Sequence, residues 1–185
     1  MQNNILKTLK GNEIIPVVTF NDVKEVELVV DKLIKKNISC IEITLRNEFA
    51  LDCIRQCIKI APEGFKIGVG TITNYTQIQK CKELNVDFMV SPGSNVELIE
   101  EMYKSEISFI PGVMTPSEII TAINLNCLFL KLFPFNIAGG ENALVNYSKV
   151  FPKVKFCPTG GLNAENYSKI LSLDNVLAVG GSWII

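Results

Sequence analysis

The chain has 185 residues, 48% hydrophobic and 20% charged, with 18 basic and 19 acidic side chains and a formal net charge of −1. This length and balance fit one soluble globular domain and exclude a disordered chain. Even charge with no dense basic block argues against nucleic acid or a membrane surface as partner, and no apolar run approaches the roughly 20 residues of a membrane-spanning helix.

The first stretch, MQNNILKTLKGNE, has the pattern of a short amphipathic helix and not of a secretion signal, so a cytoplasmic protein is expected. Apolar runs of strand length then recur at 14–20 (IIPVVTF), 40–45 (CIEITL), 66–71 (KIGVGT), 87–92 (DFMVSP), 108–113 (SFIPGV), 127–134 (CLFLKLFP), 155–160 (KFCPTG) and 176–181 (VLAVGG). Amphipathic stretches separate them, among them NDVKEVELVVDKLIKK, TNYTQIQKCKEL and TPSEIITAINL. Asn21, Asn74, Thr115 and Asn163 are the expected N-caps, and Pro116 suits a first helical position.

Strands alternating with helices predict parallel pairing through right-handed crossovers. Eight units of similar length favour an α/β fold of the (β/α)8 TIM-barrel type over an open doubly wound sheet. With no linker or change of composition, residues 1–185 are expected to form a single barrel domain. The last residues, VGGSWII, follow the eighth strand directly, so the barrel is expected to lack its final C-terminal helix or to have that flank covered by a neighbouring subunit.

Six cysteines are spread over strand-like runs (Cys40, Cys127, Cys157) and helix-like ones (Cys53, Cys57, Cys81). Cys53 and Cys57 have a spacing that can hold a metal, but without a histidine such a site would need four thiolates or added carboxylates. Buried free thiols are the expectation, and no metal. The lack of histidine also removes Ser-His and Cys-His catalysis, leaving acid–base work to carboxylates, lysines, tyrosines or water. Only Arg46 and Arg55 can supply a guanidinium for anion recognition.

In a barrel of this kind chemistry collects at the C-terminal ends of the strands. Those ends carry Glu42, Thr44 and Arg46; Thr71; Ser91 and Pro92; Pro111; Lys131 and Phe133; Thr159; and the glycines of TGG and VGGS. As a strand, 127–134 turns Leu128, Leu130 and Leu132 one way and Phe129, Lys131 and Phe133 the other. The ammonium group thus lies between two aromatic rings, where burial penalises its charge. A solvated edge strand would explain this plainly. In CIEITLR, however, Glu42 poses the same puzzle on the face it shares with Cys40, Thr44 and Arg46. Two opposite charges facing inward can satisfy one another, either as a structural ion pair or as a working site. A lysine in a water-poor pocket is one way to make a neutral amine nucleophile, and a neighbouring carboxylate can move the protons that imine chemistry requires.

The paired glycines of CPTGGLNAENYSKI and AVGGSW follow the seventh and eighth strands. Backbone N–H groups there can approach a phosphate, and a helix start after Gly161 would add a favourable dipole.

Taken in order, IEITLR, GVGT, SPG, IPGVMTPSE, KLFP, FCPTGG and VGGSW resemble the 2-keto-3-deoxy-6-phosphogluconate (KDPG) aldolases, a family that includes the 4-hydroxy-2-oxoglutarate (KHG) aldolases. The resemblance runs from about Ile14 to Trp183. It implies a cofactor-free class I lyase in which Lys131 forms a Schiff base and Glu42 is the general base, working partly through water. It further implies that Arg46 binds the keto-acid carboxylate, that Thr71, Pro92, Phe133 and Thr159 contact substrate, and that Gly160, Gly161, Gly180, Gly181 and Ser182 hold phosphate. The implied partners are a keto-acid sugar phosphate and pyruvate, and the implied assembly is a homotrimer. Phe135 and Asn136 depart from the small and acidic residues that many members have there. The competing expectations are a thiamin-phosphate-synthase-like transferase, which would depend on Mg²⁺, and a non-catalytic sugar-phosphate binding module.

Overall fold

The computed structural model describes residues 2–185, apart from the side chain of Asn3, so Met1 of the N-terminal stretch lies outside the described residues. After helix α1 (Gln2–Thr8) the chain alternates strand and helix. It runs β1 (Ile14–Val18), α2 (Glu25–Lys35), β2 (Cys40–Thr44), α3 (Ala50–Ile60), β3 (Lys66–Gly70), α4 (Tyr75–Glu83), β4 (Phe88–Val90) and α5 (Val96–Lys104). It continues through β5 (Ser108–Ile110), β6 (Gly112–Val113), α6 (Pro116–Asn124), β7 (Phe129–Leu132), α7 (Gly140–Val150), β8 (Lys155–Pro158), α8 (Tyr167–Leu171) and β9 (Val179–Gly181).

All strand pairings are parallel, in a six-stranded sheet ordered β5-β4-β3-β2-β1-β9 and a three-stranded sheet ordered β6-β7-β8. The expected single strand over 108–113 is two strands. Pro111 has no N–H for the ladder, and its carbonyl instead accepts from Lys131 N at 2.9 Å. β5 stays with β4, while β6 turns to β7. Between β8 and β9 two isolated bridges form, Phe156 with Val176 and Thr159 with Gly180.

The helices bury one stripe each. Val26, Val30 and Leu33 of α2 are buried, as are Cys53, Ile54 and Cys57 of α3. The spacing of Cys53 and Cys57 is thus a packing stripe, and all six thiols are free and buried. Among the described residues no group of three or more Cys, Asp or Glu side chains could hold a metal ion, and no helix is long and apolar enough to cross a membrane.

Two expected caps form as anticipated. Asn74 Oδ1 accepts from Gln77 N at 3.1 Å, and Thr115 makes a capping box with Glu118 behind Pro116. The other two are displaced. Helix α2 starts only at Glu25, with Lys24 in the cap, and Asn21 gives its N–H to Glu25 Oε2. Helix α8 starts at Tyr167 with Asn166 in the cap, while Asn163 Oδ1 accepts from Glu165 and Asn166 N–H groups in the preceding turn. The helix dipole expected directly after Gly161 is therefore not there.

Four helices stop alike. Asn37, Asn85, Glu106 and Asn126 take left-handed φ values of 58°, 51°, 65° and 60° one residue past the C-caps of α2, α4, α5 and α6. Asparagine tolerates this conformation better than most non-glycine residues, which makes it a stop signal before the next strand. At the opposite end from the chemistry, buried Gln2 closes the strand starts. Its amide donates to the carbonyls of Phe109 and Phe129 and accepts from the N–H groups of Leu128 and Phe129.

Candidate active site

The site is built from the middle of β2 and of β7. On β2, the alternation of CIEIT sends Ile41 and Ile43, both fully buried, to one side and Glu42 to the other. On β7, Leu130 and Leu132 pack outward while Lys131 points in. β2 and β7 belong to different sheets, yet the two side chains meet: Lys131 Nζ is 3.0 Å from Glu42 Oε1 and 3.4 Å from Oε2. Glu42 is 3% and Lys131 4% exposed, so the solvated edge strand is overturned. β7 is the central strand of its sheet, with β6 and β8 on either side.

Glycine makes the room. A Cβ at Gly70 would fall on Glu42 Oε1, so the carboxylate occupies the space a side chain on β3 would take. Gly112 is in register with Lys131, and a Cβ there would meet the backbone of Pro92. Lys131 Nζ also lies 5.4 Å from the ring centroid of Phe133, within reach of a cation–π attraction. Cys157 stands beside Lys131 in the β7–β8 register. Burial pushes the Cys157 and Cys40 thiols up to about 12, and the Glu42 carboxylate adds to both. Lys131 pulls Cys157 partly back. Both thiols are therefore held in the neutral form at ordinary pH.

Above the pair opens a cavity of about 730 Å³ at the C-terminal ends of the strands. A volume of this order suits a small metabolite. Arg46, Phe133, Thr159, Gly160, Gly161, Gly181 and Ser182 line it. Lys131 and Glu42 are not among its wall residues; they lie beneath, with Phe133 as the link between cavity and amine. Thr71 reaches the cavity only through Arg46, whose Nε donates to its hydroxyl at 3.2 Å. A β-branched residue with φ of 66°, as at Thr71, is held in a conformation that costs on the order of 1–3 kcal/mol.

The two glycine loops meet. Thr159 is bridged to Gly180, and a Cβ at Gly180 would collide with the Thr159 hydroxyl. Gly160 and Gly161 have φ of 97° and 80°. A Cβ at Gly161 would stand 2.6 Å from Asn136 Cβ, so both conformation and space demand glycine there. Asn136, one of the two departures noted in the sequence, thus packs directly on the TGG loop, and its N–H donates to the Gly160 carbonyl at 3.2 Å. Phe135 is buried. Pro92 stays outside the cavity wall, and Gly180 is buried behind Thr159.

The cavity also has walls that were not singled out from the sequence: Val17, Val18, Thr19 and Phe20 after β1, and Glu25, Leu28 and Val29 of α2. Thr19 carried a readable signal. It ends an apolar strand run with a hydroxyl, as Thr44 and Thr159 do.

An α/β fold with an amine and a carboxylate paired beneath a strand-end cavity holds the two groups that imine chemistry at a carbonyl calls on. The chain belongs to the KDPG and KHG aldolase family, whose profile matches residues 5–185. It is 37% identical over 171 residues to the 2-dehydro-3-deoxy-phosphogluconate aldolase of Pseudoalteromonas atlantica, covering 92% of this chain and 79% of that one. Among solved structures, the KDPG aldolase of Legionella pneumophila, with pyruvate captured as a covalent carbinolamine, superposes with a TM-score of 0.92 at 36% identity, over 96% of this chain and 86% of that chain. The 2-keto-3-deoxy-6-phosphogluconate aldolase of Zymomonas mobilis ZM4, with 3-phosphoglycerate, gives a TM-score of 0.94 at 29% identity, over 100% of this chain and 88% of that chain.

Proposed function

We propose that this chain is a class I aldolase that cleaves 2-keto-3-deoxy-6-phosphogluconate to pyruvate and glyceraldehyde 3-phosphate, with 4-hydroxy-2-oxoglutarate as a second substrate. The observation that carries the reading is the buried contact of 3.0 Å between Lys131 Nζ and Glu42.

Glu42 takes a proton from the ammonium, and the free amine of Lys131 adds to the C2 carbonyl. Glu42 returns that proton, through water, to the carbinolamine hydroxyl, which leaves as water to give a free carboxylate and an iminium. Its positive nitrogen draws the C3–C4 bonding electrons while the C4 hydroxyl gives its proton, through water, to Glu42. The C4 fragment leaves as an aldehyde and an enamine remains. Reprotonation at C3, again from Glu42 through water, and hydrolysis release pyruvate and the lysine. The iminium is the electron sink, so the chemistry calls on no metal or cofactor.

Arg46 is assigned to the substrate carboxylate, which a guanidinium can hold through two parallel bonds, with Thr71 orienting it. Phe133 and Thr159 flank the reacting carbons, and Pro92 backs Gly112 behind the amine. Gly160, Gly161, Gly180, Gly181 and Ser182 are assigned to the phosphate. Loop N–H groups, and not a helix dipole, would carry that anion.

The two sheets are read as one closed (β/α)8 barrel and one domain over residues 1–185. Continuity of β5 and β6 through Pro111 and the bridges between β8 and β9 support closure. A homotrimer is carried from the family resemblance, and light scattering tests it; the cytoplasm is the proposed location. Borohydride added with pyruvate tests the mechanism. One label per chain, on Lys131, is expected, and a label on any other lysine would overturn it. Pyruvate release from KDPG, its C4 epimer and 4-hydroxy-2-oxoglutarate ranks the substrates. Activity lost to EDTA would favour the transferase instead, and ligand binding without turnover the binding module.

A further inference from the structure

Thr19 has no part in the assignments above. It follows β1, is exposed and lines the cavity. Its hydroxyl oxygen is 2.7 Å from that of Thr44, and the Thr44 hydroxyl donates to the Val18 carbonyl at 3.2 Å. Thr44 is buried, at 1% exposure.

A threonine hydroxyl has one proton and two lone pairs, whereas a backbone carbonyl only accepts. Both contacts are hydrogen bonds together in a single proton arrangement. Thr44 gives its proton to Val18, so Thr19 must give its own to Thr44. The reverse would leave the Val18 carbonyl facing a lone pair at 3.2 Å. Thr19 therefore turns only lone pairs toward the cavity.

Its place in the sheet says what would meet them. β1 lies between β2 and β9. β2 leads to Arg46, assigned to the carboxylate, and β9 to Ser182, assigned to the phosphate. Thr19 faces the stretch of substrate between the two. That stretch carries two hydroxyls. The one at C4 loses its proton as the C3–C4 bond breaks. The one at C5 keeps its proton throughout and needs an acceptor.

We propose that Thr19 is a specificity-determining residue that accepts a hydrogen bond from the C5 hydroxyl of the phosphorylated substrate. The inference rests on the aldolase reading. It also sets a preference: in 4-hydroxy-2-oxoglutarate C5 is a carboxylate, which has no proton to offer and is repelled by an acceptor-only group. The Thr19–Thr44 pair thus favours the phosphorylated six-carbon acid over the shorter diacid.

Steady-state kinetics of the wild-type protein, Thr19→Val and Thr19→Ser on KDPG, on its 5-deoxy-5-fluoro analogue and on 4-hydroxy-2-oxoglutarate test this. Thr19→Val is expected to raise KM for KDPG about three- to tenfold, the worth of one neutral hydrogen bond, with kcat held within about twofold. KM for the fluoro analogue, which cannot donate, should stay the same, KM for 4-hydroxy-2-oxoglutarate should fall, and Thr19→Ser should restore wild-type behaviour. An unchanged KM for KDPG, or an equal rise for the fluoro analogue, would overturn the proposal. Borohydride trapping with pyruvate on the same preparations separates the two levels. A wild-type protein without label on Lys131 would overturn the aldolase reading and this inference with it. A labelled protein whose KDPG kinetics ignore Thr19→Val would overturn this inference alone.

Discussion

Two lysine–carboxylate pairs tie strands together, and their distances barely differ. Lys131 and Glu42 are 3.0 Å apart, Lys66 and Asp87 2.9 Å. Their surroundings do differ. The side chains of the first pair are 5% and 3% exposed, those of the second 34% and 29%. Lys66 opens β3 at the N-terminal end of the strand, and Asp87 also accepts from Ile67 N, so water and backbone share the load. Among the described residues, Lys131 and Glu42 have no hydrogen-bonding side-chain partner but each other, with the Phe133 ring beside the amine. Contact distance therefore says nothing about role. What separates a surface staple from a candidate reacting pair is whether water can replace a lost partner.

The sharpest way to break the comparison is to remove each amine. Lys131→Met should lower kcat by about 10⁴-fold or more, with the fold intact by circular dichroism, whereas Lys66→Met should leave turnover near wild type. Comparable activity in the two variants would end the distinction. Removing each carboxylate comes next. Glu42→Gln should cost about 10²–10⁴-fold in kcat, and leaving the ammonium unpaired should lower unfolding stability by roughly 3–5 kcal/mol. Asp87→Asn keeps an acceptor for Ile67 N and should cost no more than about 1 kcal/mol in a urea titration, with activity unchanged.

A third contrast sets the two arginines against each other. Arg46→Lys should raise KM for pyruvate-end ligands about tenfold, because an ammonium cannot reproduce a two-bond clamp. Arg55→Lys, in an exposed pair with Asp52, should change KM little. Equal effects would remove Arg46 from the site.

The smallest expected effect concerns the buried thiols. Burial raises Cys40, Cys57, Cys81 and Cys157 from 9.0 to about 12 in the folded protein. Their contribution to stability is whole below pH 9 and shrinks as pH climbs toward 12, because only the unfolded chain can ionise them there. Each thiol should steepen the loss by at most about 1.4 kcal/mol per pH unit. Cys81→Ala should flatten the fall in Tm between pH 9 and 11, and an unchanged slope would exclude that thiol as a contributor.

The strands and the inward pair were legible in the sequence because both follow from a period of two: a charge interrupting an apolar run must face something. What escaped was set by tertiary contact. The break at Pro111 depends on β5 and β6 pairing with different neighbours. Asn21 and Asn163 have cap chemistry, but turns intervene before their helices begin. Asn37, Asn85 and Asn126 went unread as helix stops, although their shared place before strands was there to be seen. Of the candidate site, Lys131, Glu42 and Arg46 could be picked out by charge, whereas Thr19 became visible only when the cavity brought it beside Thr44.

Thr71 sets a trap for anyone improving this protein. Its backbone sits at φ of 66°, where glycine would rest at ease, and it stays there with its hydroxyl accepting from Arg46 Nε. Selection for heat resistance alone would favour Thr71→Gly and reward the relaxed turn. The same change removes the oxygen to which Arg46 Nε donates, so, with Arg46 on the substrate carboxylate as proposed, an enzyme evolved in the oven would drift away from its keto acid. At this one position durability and chemistry ask for different amino acids.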